Sequence, residues 1–351
     1  MMIHRVCTAA TALATIVLLL WPLAAGAQEA GREETEPPLS TGPAERGGYA
    51  PLLTLFNPAV GHAQLRLTDR VTWFPEEPVA GQSTHLSAVQ QDFSFALPLW
   101  QDTTNEWSAF TRVRGEFFRT HALLPDTGQA FPEELWRVQF GTTYRHQFAN
   151  GWLGGGAVSG GSASDQPFVR LHDLFLGGHA FLRVPQGTHN AWLFSLAYAP
   201  AGELPFPLPG VAYLVHPSEQ FLAAIGLPLY LRYRPWDTLT LEGSYMLLRT
   251  VHARATYRLL PPVVLFAGFD WENESYRLAD RLHDQDRFFS YEKRLTAGVH
   301  FIINRSLALD LTSGYVFDRF YFEGQHYSDR NQNRIDVGAG PMVSLQGRVR
   351  W

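Results

Sequence analysis

The chain has 351 residues, 46% hydrophobic, 13% aromatic and 17% charged, with 30 Gly, 23 Pro and a formal charge of −5. That is too aromatic and too weakly charged for a disordered chain, and too polar for a bundle of membrane-spanning helices, each needing about 20 apolar residues. The acidic balance speaks against nucleic acid as a partner, and the single cysteine, Cys7, excludes a disulfide scaffold and a Cys-ligated zinc site.

The N-terminus reads as a secretory signal over residues 1–27. Met1 to Arg5 is a short basic start, Thr8 to Leu20 a small-residue and aliphatic run, and Ala25-Gly26-Ala27 a cleavage pattern ahead of Gln28. Residues 28–61 follow as a Pro-, Gly- and Glu-rich segment (Glu29, Glu33, Glu34, Glu36, Glu45, Pro37-Pro38), predicted to be a disordered tether. Residues 62–351 form the remaining domain.

From residue 62 onward the pattern is alternation. Val251, Ala253, Ala255, Tyr257 and Leu259 alternate with His252, Arg254, Thr256 and Arg258. In 288–303, Phe289, Tyr291, Leu295, Ala297, Val299, Phe301 and Ile303 share one face, with Lys293, the only lysine, as the misfit. Such period-two segments are strands with one apolar and one polar face. Strands are predicted at 62–74, 83–99, 105–119, 134–149, 151–160, 170–184, 190–200 and 210–216. The series continues at 219–226, 227–234, 238–248, 250–260, 262–275, 287–303, 306–321 and 334–351, which makes sixteen. Fourteen remain if the short pair 219–226 and 227–234 folds as a plug or rim, and twelve is the lower bound. Tight turns at Asn150-Gly151, Pro217 to Gln220, Pro235 to Thr238, Pro261-Pro262 and Asn304 to Ser306 largely alternate with longer polar connections at 120–133, 161–169, 276–286 and 322–333.

This asymmetry predicts an all-β, transmembrane, antiparallel up-and-down β-barrel of 14–16 strands in the outer membrane of a Gram-negative-type bacterium. A soluble sandwich also alternates. Two features argue against it: aromatic residues near strand ends (Trp73, Trp107, Phe117, Tyr233, Tyr315, Phe317), and a last strand that ends on Trp351, read as the membrane-insertion signal. Register is firmly set, because a one-residue slip of 251–259 would turn Arg254 and Arg258 into lipid at roughly 2–4 kcal/mol each near the midplane. The partners implied are outer-membrane lipids, the barrel-insertion machinery and small solutes.

A resemblance agrees with this reading. Leu208-Pro209-Gly210-Val211-Ala212-Tyr213, Gly226-Leu227-Pro228, residues 267–276 (AGFDWENESY) and, most strongly, residues 314–324 (GYVFDRFYFEG) resemble a family of uncharacterised bacterial outer-membrane β-barrels, a domain of unknown function. The resemblance runs from Leu208 to Trp351. It implies the barrel and the compartment, and no catalytic or ligand-binding residues.

Assigning each polar register to the lumen turns Arg66, Arg70, Arg112, Arg114, Arg232, Arg234, Arg254, Arg258, Arg294, Arg348 and Arg350 inward, with Glu116, Glu242, Glu292, Asp310 and Asp336. The excess of arginine predicts a passive pore or binder for small solutes with a bias toward anions. The alternative is a structural or adhesive barrel whose lumen is closed by an ion-pair lattice. In the last loop Asp329, Asn331, Asn333 and Asp336 partly match a calcium loop, without its glycine or terminal glutamate. Asp270, Glu272, Glu274, His283, Asp284 and Asp286 are read as surrounding another outside loop. Glu242, Ser244 and His252 share a lumen face, with Ser244 diagonal to His252 at roughly 7–8 Å by Cα. That coincidence makes a lipid-modifying enzyme the weakest alternative, and no catalytic residue, cofactor or metal is assigned.

Overall fold

A computed structural model describes residues 59–199, 206–246 and 250–351; the predicted leader and most of the predicted tether lie outside the described residues. The strands are β1 (Arg66–Pro78), β2 (His85–Gln101), β3 (Asn105–Arg119), β4 (Glu134–Gln147), β5 (Leu153–Ser164), β6 (Leu174–Gln186), β7 (Asn190–Tyr198) and β8 (Leu208–Ser218). They continue as β9 (Phe221–Gly226), β10 (Leu229–Trp236), β11 (Leu239–Met246), β12 (Thr250–Leu260), β13 (Val263–Tyr276), β14 (Arg287–Ile302), β15 (Leu307–Gly324), β16 (Arg334–Val337) and β17 (Gly340–Arg350).

Strands β1 to β15 each pair antiparallel with the next, and β1 also pairs with β17, which closes the wall. Both β16 and β17 lie on β15, so they are two halves of one wall strand interrupted at Gly338 and Ala339. The described residues thus form a closed antiparallel barrel of sixteen strands. The short β9 and β10 belong to the wall, paired with each other and with β8 and β11.

Seven tight turns and the C-terminus occupy one end of the barrel, where Leu65 and Trp351 exchange main-chain hydrogen bonds of 3.1 Å in both directions. The long connections at 120–133, 165–173, 277–286 and 325–333 occupy the other. These are called the turn end and the loop end below.

Alternation sorts the side chains as the pleat requires. Trp73, Phe140, Leu295, Leu311 and Leu345 stand on the outer face at about half their full exposure, and Trp107, Trp192, Tyr233 and Tyr315 add large aromatic surface to it. Lys293 does point outward. It is held there by Asp318 Oδ2 at 2.6 Å and by the rings of Trp271 and Tyr291, 5.0 and 5.8 Å from its Nζ. Asp318 reaches it because β15 carries a bulge there, with Asp318 at φ +52° and the β14 register shifting between Tyr291 and Lys293.

Between β4 and β6 the wall runs through glycines that a side chain would displace. A Cβ on Gly161 would lie 1.9 Å from the Val138 carbonyl oxygen, and one on Gly155 would lie 2.5 Å from that of Tyr144. Bare glycine is what lets neighbouring backbones approach so closely, as at a sharp bend of a sheet.

Candidate functional site

The site is the lumen, and the wall strands divide it unequally. On β1–β4 and β13–β17 many inward side chains are charged, and most of those are buried. Arg114 on β3 is the hub: Nε lies 2.7 Å from Asp92 on the adjacent β2, while Nη1 lies 2.9 Å from Glu274 and Nη2 3.3 Å from Glu272, both on β13. Strands β3 and β13 are not neighbours in the sheet, so this guanidinium bridges the lumen. Arg137 on β4 makes a second bridge, 2.6 Å to Glu274 and 3.1 Å to the Ser275 carbonyl. Above both, the Arg277 amide donates to the Ala163 carbonyl at 2.9 Å, joining the loop ends of β5 and β13. The wall is therefore pinched between β3–β5 and β13.

One side of the pinch is filled. Arg294 pairs with Glu292 and bonds Gln90 at 2.8 Å, Arg319 lies over the Phe74 ring at 4.8 Å, and Tyr276 donates to Glu116 at 3.1 Å. Nearer the turn end, Asp310 binds both Arg348 and His300, and Arg70 binds Gln346. At the loop end the connection 120–133 folds inward as a stopper. Ala122, Leu124 and Phe131 pack with Leu86, Leu135, Phe288, Tyr321 and Ile335 in one apolar core. Phe131 meets Phe118, Phe288 and Tyr321 edge-on, with centroids 5.1, 5.4 and 5.0 Å away. The stopper is latched from outside by Asn333, whose Oδ1 accepts from the amides of Asp126 (3.1 Å) and Thr127 (3.3 Å), and by Gln82, whose amide donates to the Leu123 carbonyl at 2.7 Å.

The other side of the pinch, enclosed by β5–β12, has two chemically different faces. The inward residues of β5–β9 are mostly small or apolar, including Leu153, Phe181, Leu193, Ala212, Leu214 and Leu222. Opposite them, β10–β12 present Arg232, Arg234, Glu242, Ser244, His252, Arg254 and Arg258, all partly exposed rather than buried. Glu242 opposes Arg232 on one neighbour and Arg254 on the other, and the Arg254 guanidinium lies 3.9 Å from the centroid of Phe266. A cavity of about 330 Å³ sits at the loop end beside the pinch, lined in part by Phe175, Tyr276, Arg277 and Arg287.

Most of the predicted inward residues occupy the predicted face. Arg66 and Arg350 oppose each other at the turn end, and Arg112 lies over the Phe110 ring at 5.6 Å. Asp336 does not face the lumen. It opposes Phe320, and its carboxylate pairs with Arg334 while that guanidinium stacks on the outward Phe320 ring at 3.8 Å. The β15 bulge shifts the register of everything beyond Asp318, which strict alternation does not foresee.

The acidic group read as a loop is largely wall: Asp270, Glu272 and Glu274 are inward positions on β13. Together with the unassigned Asp92 and Glu106, they supply carboxylates that alternation counts alone omit. The arginine excess that predicted an anion bias shrinks accordingly in the buried half.

Asp329, Asn331, Asn333 and Asp336 are not brought together. Asp329 accepts from the amides of Gln325 and His326 at 3.0 and 2.9 Å, Asn333 holds the stopper, and Asp336 holds Arg334. No cluster able to hold a metal ion occurs among the described residues. Ser244 lies directly opposite His252 rather than diagonal to it, and His252 Nδ1 is 2.8 Å from Asp270, so the three form a row across β11–β13.

In the short turn between β2 and β3, the Thr104 amide, the Asn105 side chain and the Thr104 hydroxyl all donate to Asp102 and hold its carboxyl down at about 2. Asp165, in the β5–β6 connection, is pushed upward by burial despite its bonds to Ser164 and Ala279.

No family model matches the chain, and no curated protein matches it either. Among solved structures, it is similar to the COG4313 outer membrane channel from Pseudomonas putida F1 (7% identity, 84% of this chain and 98% of that one, TM-score 0.37). It is also similar to the Pseudomonas putida toluene transporter TodX (10% identity, 86% and 93% covered, TM-score 0.40) and to Pseudomonas aeruginosa OccK7 (10% identity, 82% and 99% covered, TM-score 0.36).

Proposed function

We propose that this protein is an outer-membrane barrel that lets small solutes pass, or holds them, in the half of its lumen enclosed by β5–β12. The support for the membrane reading is physical. A closed wall leaves no unpaired strand edge, and its outer face of Trp, Phe, Tyr and Leu is suited to lipid while most of the wall's charges are turned inside. The support for passage is a single contrast. Inward charges on β1–β4 and β13–β17 are largely buried in an ion-pair lattice, whereas those on β10–β12 are partly exposed and face an apolar wall.

A space with one polar and one apolar side suits small solutes that carry both characters. Its polar side carries Arg232, Arg234, Arg254 and Arg258 against Glu242, an excess of positive charge that favours anions.

The second reading is a closed structural or adhesive barrel, and the observation favouring it is the lattice itself, with Arg114 and Arg137 bridging β3–β4 to β13. Planar-bilayer recording of the purified chain, alone and with residues 122–131 replaced by a short Gly-Ser linker, separates the two. A pore through the β5–β12 half conducts in both forms, because the stopper packs on the other side of the pinch. If neither form conducts above background, the barrel is structural. In the same bilayers, reversal potentials in a salt gradient are expected to show a preference for anions, and cation selectivity would contradict the role of the arginine face.

A further inference from the structure

At the loop end the wall forks. Strand β5 runs beside β6 as far as Ser162, opposite Leu174, and then leaves it: Ser164 makes a parallel bridge with Arg277, and the Arg277 amide donates to the Ala163 carbonyl at 2.9 Å. On its other edge β6 pairs with β7 only from Gly178, opposite Tyr198, so Leu174 to Gly177 extend beyond the last described rung of that ladder. The cavity of about 330 Å³ sits in this fork, and its lining comes from β5–β7, from β13 and β14, and from the connections that join them.

The lining has two characters. Leu174, Leu176 and Tyr198 stand on the exposed face of the wall, whereas Phe175, between the two leucines, turns inward against the apolar core of the filled half. The cavity is therefore lined from both faces of the sheet, and the exposed Leu176 puts its mouth on the outer surface. Against this apolar side stand Arg277 and Arg287. Asp173, the carboxylate among the described lining residues, is already held by Arg281 at 3.0 Å, each side chain being 1% exposed. Arg277 is half-buried and makes no ion pair with any described carboxylate. Burial and the charge of Arg281 push its pKa below the ordinary guanidinium value. The cavity thus carries an excess of positive charge beside an apolar wall, in a volume at the lower end of small-molecule sites. A guanidinium presents its donors as a fork that matches a carboxylate or a phosphate.

We infer that this fork is a binding site for an anionic amphiphile, whose carboxylate or phosphate is held by Arg277 and Arg287 and whose apolar body lies against Leu174, Phe175, Leu176 and Tyr198. The same chemistry is offered by a free medium-chain acid and by the headgroup and upper chain of an anionic membrane lipid, and the experiment separates these sources. The site stands apart from the polar wall of β10–β12 and does not depend on whether the barrel conducts.

The probe is decanoic acid carrying a diazirine in its chain, photolysed with the purified full-length chain in neutral detergent, and the labelled residues are found by peptide mass spectrometry. Label is expected on residues 174–176 and 198, at least about tenfold above that from the matching diazirine decanol, which keeps the apolar body and lacks the acid. That comparison needs no variant. Arg277→Gln combined with Arg287→Gln is expected to lower the label by at least about tenfold while unheated gels still show the folded barrel, since the bridge to β5 is made by the Arg277 main chain. Competition by phosphatidylglycerol and not by phosphatidylcholine assigns the site to a membrane lipid, and competition by decanoate alone assigns it to a free acid; either result supports the inference. Equal label from the alcohol, label spread evenly over the outer wall, label unchanged in the folded double variant, or displacement by inorganic phosphate as effective as by decanoate would overturn it.

Discussion

Removing the Phe131 side chain is the sharpest test of the stopper. Phe131 is nearly fully buried and meets three aromatic rings edge-on, those of Phe118, Phe288 and Tyr321. Truncating a buried Phe to Ala costs about 3–5 kcal/mol, and edge-to-face pairs alone are worth about 0.5–1.5 kcal/mol each beyond their buried area. Phe131→Ala is thus expected to lose about 3–5 kcal/mol from the packed stopper. Opening the connection breaks those same contacts, so the loss falls mainly on the opening equilibrium, a change of at least about hundredfold at 1.4 kcal/mol per decade.

The assay is amide hydrogen exchange over residues 120–133. The Leu124 amide donates to the Gln129 carbonyl at 2.8 Å and the Phe131 amide to the Ala122 carbonyl at 3.0 Å, so both report directly on opening. In Phe131→Ala they are expected to exchange about hundredfold faster while amides of β2 and β14 keep their protection. Leu123→Ala, at a position 50% exposed, serves as control and is expected to change stability by less than about 0.5 kcal/mol. If exchange in the stopper is unchanged by Phe131→Ala, or rises equally in the control, the aromatic cluster does not hold the connection in the lumen.

Arg114→Ala leaves Asp92, Glu272 and Glu274 around a missing cation; a loss of about 3–5 kcal/mol is expected in urea unfolding from lipid vesicles, partly recovered by adding Glu274→Gln. An unchanged midpoint would mean the bridge does not support the pinch. Asp102 has its carboxyl pKa depressed from 3.8 to about 2, so its contribution to the β2–β3 turn is fully present above pH 3.8 and is lost as pH falls through about 2. Carboxyl NMR titration should find that midpoint, and Asn105→Ala should raise it. Gly161→Ala places a Cβ against the Val138 carbonyl and is expected to cost roughly 1–3 kcal/mol, read as a smaller folded fraction on unheated gels; full folding would show that the bend between β4 and β6 yields.

The strand plan was legible because its signal is local. Alternation over nine or more residues, closed by Asn-Gly or Pro-Pro turns, reports directly which face a side chain takes, so even the short β9 and β10 stand in the wall where period two puts them. The apolar face of β5–β9 went unread as a site for the complementary reason. Leu153, Leu193 and Leu214 carry no charge to mark them as lumen, and sequence alone does not tell an apolar inner face from an apolar outer one. Asp336 was misplaced by a bulge, which depends on one left-handed residue at Asp318 and leaves no periodic trace.

What the sequence determined by itself was an alternating chain that has to close on itself, with lipid-compatible residues outward and arginines inward, because burying a row of charges in lipid is too costly for any other register. What tertiary structure alone decided was how the inside is used. Arg114 finds Glu274 160 residues away, the 120–133 connection turns into the barrel rather than out of it, and Val60 reaches the apolar wall of β5–β10. Those contacts depend on the cross-section and bend of the closed wall, which no run of neighbouring residues encodes.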